Sequence, residues 1–259
     1  MKKLFSWFLI VALLSCNSSN DVPDMPGTYL MNSQILKNDS TETKYTSLKQ
    51  LKIYTDSFFM YTNVNPGDSV SAFGVGSYTP GNVMITENVI YSSADSTVGT
   101  PKSYDLTINK VHEGYTQVIP EIVVQGKPAK LTEDYREVGK ELDTPLDGVW
   151  KEVRSYDIVG NDTIPKNRVQ YKAYNDGYFM FGHFLPDSSR RGRTGIGFGT
   201  YEMINDSQIK ETDLNSTYAI IAGNSFMVDI AMDGSDRYVQ TIIDSTGTKS
   251  VEHYERLKK

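Results

Sequence analysis

The sequence contains one pattern twice, at positions about 120 residues apart. The segment 50–61 reads QLKIYTDSFFMY and the segment 170–181 reads QYKAYNDGYFMF, so six of the twelve positions are identical. Shorter matches follow in the same order: GVGSY at 74–78 with GFGTY at 197–201, and YREV at 135–138 with YERL at 254–257. A collinear repeat of this length indicates two tandem copies of one domain.

The positions of the two copies set the expected domain boundaries. We expect a leader over 1–16, a polar tether over 17–25, a first domain over 26–139, a linker over 140–146 and a second domain over 147–259. Each domain is long enough to bury one core, but lies near the small end for independent stability. Because the linker is short, we expect the two domains to touch.

The composition and the turn signals favour strands over helices. The chain has 17 tyrosines and 10 phenylalanines, and short apolar runs alternate with Asn, Asp, Gly and Pro clusters. The duplicated segment is typical of a β-hairpin, with Asn175-Asp176-Gly177 at its turn in the second copy. Six to eight antiparallel strands per copy, in sequence order, predict an all-β fold of two tandem small up-and-down barrels.

Three motifs at fixed places in the second copy resemble those of a known family. They are Gly148-Val-Trp150 at the start, the GFGTY segment at 197–201 and Tyr254-Glu-Arg256 at the end. Together they resemble the lipocalin-like, or calycin-type, domains of secreted Bacteroidota lipoproteins, many of which are domains of unknown function. The first copy departs from this pattern, with Tyr29 in place of the tryptophan. The resemblance implies a small antiparallel barrel and carries over no catalytic residue.

The N-terminus predicts export and lipidation. Two lysines precede the apolar run 4–14, which would rise only about 16 Å as a helix, roughly half of a bilayer core. The ending Leu13-Leu14-Ser15-Cys16 resembles the lipobox of bacterial lipoproteins, and Cys16 is the single cysteine of the chain. We therefore expect cleavage before Cys16 and a membrane anchor of acyl chains on that residue. Asn17 favours the outer membrane, with the periplasmic and cell-surface sides as open alternatives.

Charge and motif content exclude several classes of function. The net charge is −6, and removal of the leader lysines would make the mature chain more acidic, which disfavours nucleic acid as a partner. The alternating glycines at 74–76 and 195–199 lack the helix or Gly-Lys-Ser/Thr ending of a phosphate loop, so we expect them to make room for aromatic side chains. The sequence shows no nucleophile motif, no placed acid pair and no set of metal ligands, and it predicts no cofactor and no metal.

Two groups of residues are candidates for contacts. Arg190, Arg191 and Arg193 form the densest cationic patch, in a loop rich in Pro, Ser and Gly, and the first copy has no comparable patch there; His183 lies on the preceding strand. These four residues would contact an anionic ligand or a partner; the alternative is that the arginines form a solvated hairpin tip.

The aromatic runs at 58–61 and 178–181 form the second group. Four successive apolar residues of a strand require cover on both faces. One face would fill the barrel and the other would pack on the sister domain, on a loop or on an external partner. Phe59, Tyr61, Phe179 and Phe181 are predicted to make the interdomain contact.

Three classes of function are compatible with these features. The first is an envelope-anchored, non-catalytic lipoprotein that binds a small apolar or glycan ligand or a protein partner. The second is a structural or assembly lipoprotein with filled barrels, which the short units favour. A hydrolase is a remote third alternative.

Overall fold

The computed structural model describes residues 25–64, 71–81, 84–93, 101–124, 126–140, 142–186 and 193–259. Within these ranges the chain forms eighteen β-strands and no helix, and therefore no helix that could cross a membrane. The first sheet contains β1 (Gly27–Lys37), β2 (Glu42–Tyr45), β3 (Lys49–Tyr54), β4 (Phe58–Val64), β5 (Ala72–Pro80), β6 (Met84–Ser92), β7 (Lys102–Val111), β8 (Gly114–Val124) and β9 (Lys127–Glu137). The second sheet contains β10 (Gly148–Val159), β11 (Asp162–Pro165), β12 (Val169–Asn175), β13 (Tyr178–Leu185), β14 (Arg193–Asn205), β15 (Gln208–Ser216), β16 (Ser225–Asp233), β17 (Arg237–Ile243) and β18 (Lys249–Arg256).

Each sheet closes on itself. In the first, β2 and β3 lie one after the other along the same edge of β1, and β1 also pairs with β9. In the second, β10 pairs with β11, β12 and β18 in the same way. All pairs are antiparallel and follow sequence order. The predicted fold class is confirmed: the chain forms two tandem, closed, eight-stranded up-and-down barrels.

The duplicated hairpin occupies the same place in both barrels, as β3–β4 and β12–β13. Asp176 and Gly177 have φ angles of 51° and 77°, and both φ angles must be positive in a two-residue turn whose twist matches that of the flanking strands. The turn residues therefore set the register of the second hairpin.

The cores of the two barrels repeat the same aromatic arrangement. In the first barrel Tyr115 stacks on Tyr135 with ring centroids 4.9 Å apart. In the second, Tyr238 stacks on Tyr254 at 4.8 Å, and the Trp150 ring meets Tyr238 edge-on at 4.7 Å. Buried aromatic pairs of this kind add to the free energy gained from their burial. Both barrels are therefore closed around equivalent aromatic clusters.

Two of the alternating glycines, Gly74 and Gly197, make room for rings, as predicted. A Cβ atom on Gly74 would overlap the Tyr61 ring, and one on Gly197 would lie 2.5 Å from the Phe181 ring. Such distances are far below van der Waals contact, so any larger residue would displace the aromatic side chain. These glycines are packing positions of the strands β5 and β14.

The two barrels pack against each other through the outer faces of their duplicated hairpins and the following strands. The resulting apolar cluster contains side chains from both barrels: Leu51, Ile53, Met60, Val64, Phe73, Val75, Tyr91, Val149, Tyr171, Ala173, Met180, Ile196 and Phe198. Phe73 packs directly on Gly182, where an added Cβ would overlap the Phe73 ring. Thr28 and Asn175 add hydrogen bonds between the barrels.

The residues of this contact differ from those predicted. Phe59 and Tyr61 lie in the core of the first barrel, and Phe179 and Phe181 in the core of the second. Successive residues of a strand point to opposite faces, so Met60 and Met180 are the ones that reach the interface. The prediction chose the correct strands and the wrong face.

Candidate functional site

Three identical positions of β3 and β12 line the barrel interiors. Gln50, Lys52 and Tyr54 point into the first barrel, and their equivalents Gln170, Lys172 and Tyr174 point into the second. All six are buried. The alternate positions, where Leu51 and Ile53 are replaced by Tyr171 and Ala173, belong to the interface between the barrels. The repeated pattern is therefore an internal polar network.

In the first barrel this network is centred on Lys52. Its ammonium group lies 2.6 Å from Glu87 Oε1 and donates to Gln117 Oε1 at 3.1 Å. The amide of Gln117 donates in turn to Glu133, and the Tyr54 hydroxyl donates to Glu87. Each buried charge thus has a partner, which buried charges require.

The second barrel repeats the network with equivalent residues. Lys172 Nζ lies 2.6 Å from Glu211 Oε1 and 3.1 Å from Gln240 Oε1. Gln240 Nε2 donates to Glu252 Oε2 at 2.7 Å, and the Tyr174 hydroxyl donates to Glu211 at 2.6 Å. Because both barrels share this arrangement, it belongs to the architecture of the domain rather than to a function of one copy.

The second barrel adds an ion-paired arginine that the first lacks. Arg168 donates to both Glu152 and Glu252, at 2.6 Å and 2.5 Å, and its side chain is 10% exposed. Burial alone would raise the pKa of Glu252, but Arg168 and the Tyr254 hydroxyl offset it and hold this pKa at about 2. The first barrel has Met31 and Leu48 at the positions of Glu152 and Arg168.

His183 extends the polar groups toward the surface. Its Nδ1 lies 3.2 Å from Gln170 Oε1 and its Nε2 lies 2.6 Å from the Tyr218 hydroxyl. Burial, together with the charge of Arg168, lowers the pKa of His183 to about 4, so the ring is neutral at pH 7. Tyr218 is 37% exposed, and the first barrel has Asn63 at the position of His183.

Asp213 is the most unusual group of the second barrel. It is 4% exposed, and its Oδ1 has no hydrogen-bond partner in the described part of the chain. Burial, and then the nearby charge of Glu211, raise its pKa to about 7, although Lys172 acts in the opposite direction. The equivalent residue of the first barrel is Val89, which also lies opposite a glycine of the preceding strand.

Two glycines of β14 show how these side chains are arranged. A Cβ atom on Gly195 would overlap His183 Nε2 and lie 2.5 Å from the Tyr218 hydroxyl. One on Gly197 would lie 2.5 Å from the Phe181 ring and 2.9 Å from Asp213 Oδ1. The side chains therefore lie in a row above one face of β14. We call Arg168, Phe181, His183, Asp213 and Tyr218 the mouth cluster, because β12 begins and β13 ends at this end of the barrel.

The opposite end of the second barrel is sealed. Trp150 Nε1 donates to the carbonyl oxygen of Leu146 at 2.7 Å, and the Arg256 guanidinium lies 4.1 Å from the Trp150 ring centroid. Arg256 also donates to the carbonyl oxygen of Pro145 at 2.8 Å. In the first barrel the Tyr29 hydroxyl replaces the indole and donates to the carbonyl of Met25. The indole and the guanidinium thus close this end of the second barrel.

A cleft of about 850 Å³ lies between the two barrels. Its lining includes Phe58 of the first barrel and Leu142, Asp176 and Arg256 of the second. It is an open groove of mixed polarity, in which anionic and cationic side chains are both present. The mouth cluster is the stronger candidate because its charges are buried.

Of the residues predicted from the sequence to make contacts, His183 lies in the mouth cluster. Arg190 and Arg191 lie outside the described residues, as does Cys16, and of Arg193 only the backbone is described, at the start of β14. His112 is exposed and His253 lies on β18, and within the described ranges no three potential metal ligands converge.

Sequence reasoning missed Arg168, Asp213 and Tyr218. A comparison of the two copies at inward-facing positions could have found them, because a charged residue of one copy corresponds there to an apolar residue of the other. The alternation of Glu211 and Asp213 along β15 was also visible, because residues two apart share a face of a strand. Neither signal could be used without knowing the register of the strands.

Comparisons with known proteins leave the function open. No family model matches the chain, and no curated protein matches it. Among solved structures the chain is similar to the crystal structure of a protein of unknown function from the DUF3598 family of Nostoc punctiforme. The identity is 11%, the match covers 90% of this chain and 96% of that one, and the TM-score is 0.26. The function therefore has to be inferred from the side chains of the molecule itself.

Proposed function

We propose that the chain is a non-catalytic envelope lipoprotein whose second barrel binds a small polar ligand at the mouth cluster. The observation that carries this proposal is the difference between the two interiors. Both barrels close with the same lysine network, but among the described residues only those of the second barrel add further buried charges at one end. Buried ion pairs contribute little to stability compared with apolar residues of the same size, so their presence in one copy favours a role in binding.

The chemistry of the cluster favours a polar ligand over the apolar one that was an alternative. An apolar ligand would cover Asp213 without offering its Oδ1 a hydrogen bond, which is costly. His183 contacts Gln170 and Tyr218, and its two ring nitrogens are thereby occupied by groups other than a serine or cysteine. This arrangement supports binding rather than acyl transfer.

The leader and the tether supply the cellular context of the proposal. We infer that Cys16 carries the lipid anchor, that the tether 17–25 holds the barrels off the outer membrane, and that the protein is of the Bacteroidota lipoprotein kind. Replacement of Cys16 by serine should abolish incorporation of labelled fatty acid and release the chain from the membrane fraction. Retained label in this variant would contradict the anchor.

Native mass spectrometry of the full chain, purified from its host, tests the binding function. We expect a small molecule on the wild-type protein and none on a variant with the first-barrel residues at three positions, Glu152→Met, Arg168→Leu and Asp213→Val. Asn63→Ala in the first barrel is the matched control and should keep the ligand. A ligand retained by the triple variant, or a stoichiometric protein partner in place of a small molecule, would contradict the proposal.

The second candidate function is structural. Side chains occupy both barrel interiors, and the extensive apolar contact joins the barrels into a compact pair. A structural lipoprotein would keep its protein partner when the mouth cluster is replaced, so the triple variant separates the two functions.

A further inference from the structure

The charges of the second barrel do not balance. Its buried side chains include two cations, Lys172 and Arg168, and each of them is already paired with a glutamate. Asp213 adds a further carboxyl group, and neither cation lies within salt-bridge distance of it. A buried carboxylate without a partner is unfavourable by several kcal/mol, which makes it a strong acceptor for any cation that can reach it.

The surroundings of Asp213 suit an organic cation. The Phe181 ring and Asp213 Oδ1 both lie against Gly197, at 2.5 Å and 2.9 Å from the position of its missing Cβ, so the ring and the carboxyl oxygen are neighbours. The face of an aromatic ring attracts an ammonium group, and the attraction is larger in a desolvated site. His183 stacks near-parallel to Phe181 at 6.1 Å and is neutral, so it does not repel a positive charge.

A metal ion fits these residues less well than an ammonium group. Calcium and magnesium take six or more oxygen ligands, and zinc takes four ligands in most structural sites. Within the described residues no group of three His, Cys, Asp or Glu side chains is placed to hold a metal ion. An ammonium group needs only one carboxylate, a hydrogen-bond acceptor and an aromatic face, all of which the mouth cluster contains.

We propose that the mouth cluster binds an organic ammonium ion, held between the carboxylate of Asp213 and the face of Phe181. This inference rests on the proposed binding function and specifies the charge and chemical class of the ligand. It also explains why the second copy has an aspartate where the first has Val89: the ligand, and not a side chain of the barrel, neutralises the carboxylate.

Binding should strengthen as the pH rises, because only the ionised carboxylate attracts the cation. The charged groups that act on Asp213 are Glu211, which raises its pKa, and Lys172, which lowers it. With a pKa of about 7, the ionised fraction of Asp213 rises from roughly one tenth near pH 6 to roughly nine tenths near pH 8. A primary amine is protonated at both pH values. The affinity should therefore increase about tenfold between them.

Isothermal titration of the full chain with ethylammonium chloride tests the inference, with ethanol as the neutral probe of similar size. We expect ethylammonium to bind near pH 8 and about tenfold more weakly near pH 6, and ethanol not to bind. Asp213→Asn should weaken ethylammonium binding at least about tenfold. Asp229→Asn, at an exposed position on the outside of β16, should leave it unchanged.

The possible results separate the ammonium site from the proposed function. Equal binding of ethylammonium to the wild type and to Asp213→Asn, absence of binding, or an affinity independent of pH would overturn the ammonium assignment. If the small molecule found by native mass spectrometry is nevertheless lost in the triple variant, the binding function stands and its ligand is of another class. If neither experiment shows binding at the second barrel, both proposals fail.

Discussion

Replacement of Asp213 by asparagine should stabilise the protein, and by an amount that grows with pH. The pKa of Asp213 is raised from 3.8 to about 7 by burial and by Glu211. The folded state therefore holds this proton more tightly than the unfolded state does, and stability is lost as the pH rises from about 4 to about 7. A shift of about three pKa units corresponds to about 4 kcal/mol. Asparagine has the same shape and no proton to lose, so the variant avoids this loss.

Urea unfolding followed by tryptophan fluorescence measures the change in the free energy of unfolding of the second barrel, which contains Asp213. Trp150 is fully buried in the core of the second barrel, so its emission reports on the unfolding of that barrel. The difference in free energy of unfolding, variant minus wild type, should rise by about 4 kcal/mol between pH 4 and pH 8. Glu252, whose pKa is lowered from 4.5 to about 2, contributes stability that is lost as the pH falls from about 5 towards 2, and this loss is the same in both proteins. Its contribution cancels in the difference.

A matched control isolates the effect of burial. Asp229→Asn, on the exposed face of β16, is the control for the loss of a carboxylate that is not buried. If Asp213→Asn behaves like this control, the carboxyl of Asp213 ionises normally in the folded state. That result would refute the reasoning that Asp213 is a buried charge without a partner, and it would remove the basis for the ammonium site.

Three further substitutions test the architecture. Gly182→Val should weaken the contact between the barrels by about 1–3 kcal/mol, because the added Cβ would meet the Phe73 ring. Small-angle scattering should detect the separation of the barrels. An unchanged scattering profile together with unchanged stability would contradict the interface. Arg256→Ala should lower the free energy of unfolding by about 2 kcal/mol through lost hydrogen bonds and the lost contact with the indole. Glu137→Ala, at the equivalent position of the first barrel, should change it by less than about 0.5 kcal/mol. Lys172→Met leaves the buried carboxylate of Glu211 without its cation and should lower the free energy of unfolding by about 3–5 kcal/mol, as measured by chemical denaturation. An unchanged free energy of unfolding would mean that the network is hydrated.

The architecture could be predicted from the sequence because its signals are local or repeated. The turn at Asp176 and Gly177 requires positive φ angles, and the sequence offers residues that accept them. The strand before this turn alternates polar and apolar residues, which is enough to identify the hairpin. The repeat then extends one copy's assignment to the other, so the number of barrels followed from a comparison within the chain.

The faces of the strands could not be predicted from the same signals. In the run 58–61 every residue is apolar, so the alternation that normally distinguishes inside from outside is absent. In the preceding strand the polar residues Gln50 and Lys52 point inward and the apolar residues Leu51 and Ile53 point out toward the sister barrel. This is the reverse of the usual rule that polar side chains face solvent. It arises because the outer face is covered by the other barrel and the charges are paired inside.

The two barrels of this chain provide an internal comparison that separates folding from function. The first barrel closes with Met31, Leu48 and Val89 at positions where the second has Glu152, Arg168 and Asp213. A barrel of this fold can therefore form without charged residues at these three positions. Replacing a buried ion pair by apolar residues of similar volume is often neutral or stabilising by about 1–4 kcal/mol.

The triple variant Glu152→Met, Arg168→Leu and Asp213→Val should consequently unfold at a higher urea concentration than the wild type while it loses the ligand. Gain of stability with loss of binding is the pattern expected where a site is maintained at the expense of stability. If the variant instead becomes less stable, the charges of the second barrel are required for its folding. The difference between the copies would then be a structural one, and the assembly function would be the better explanation.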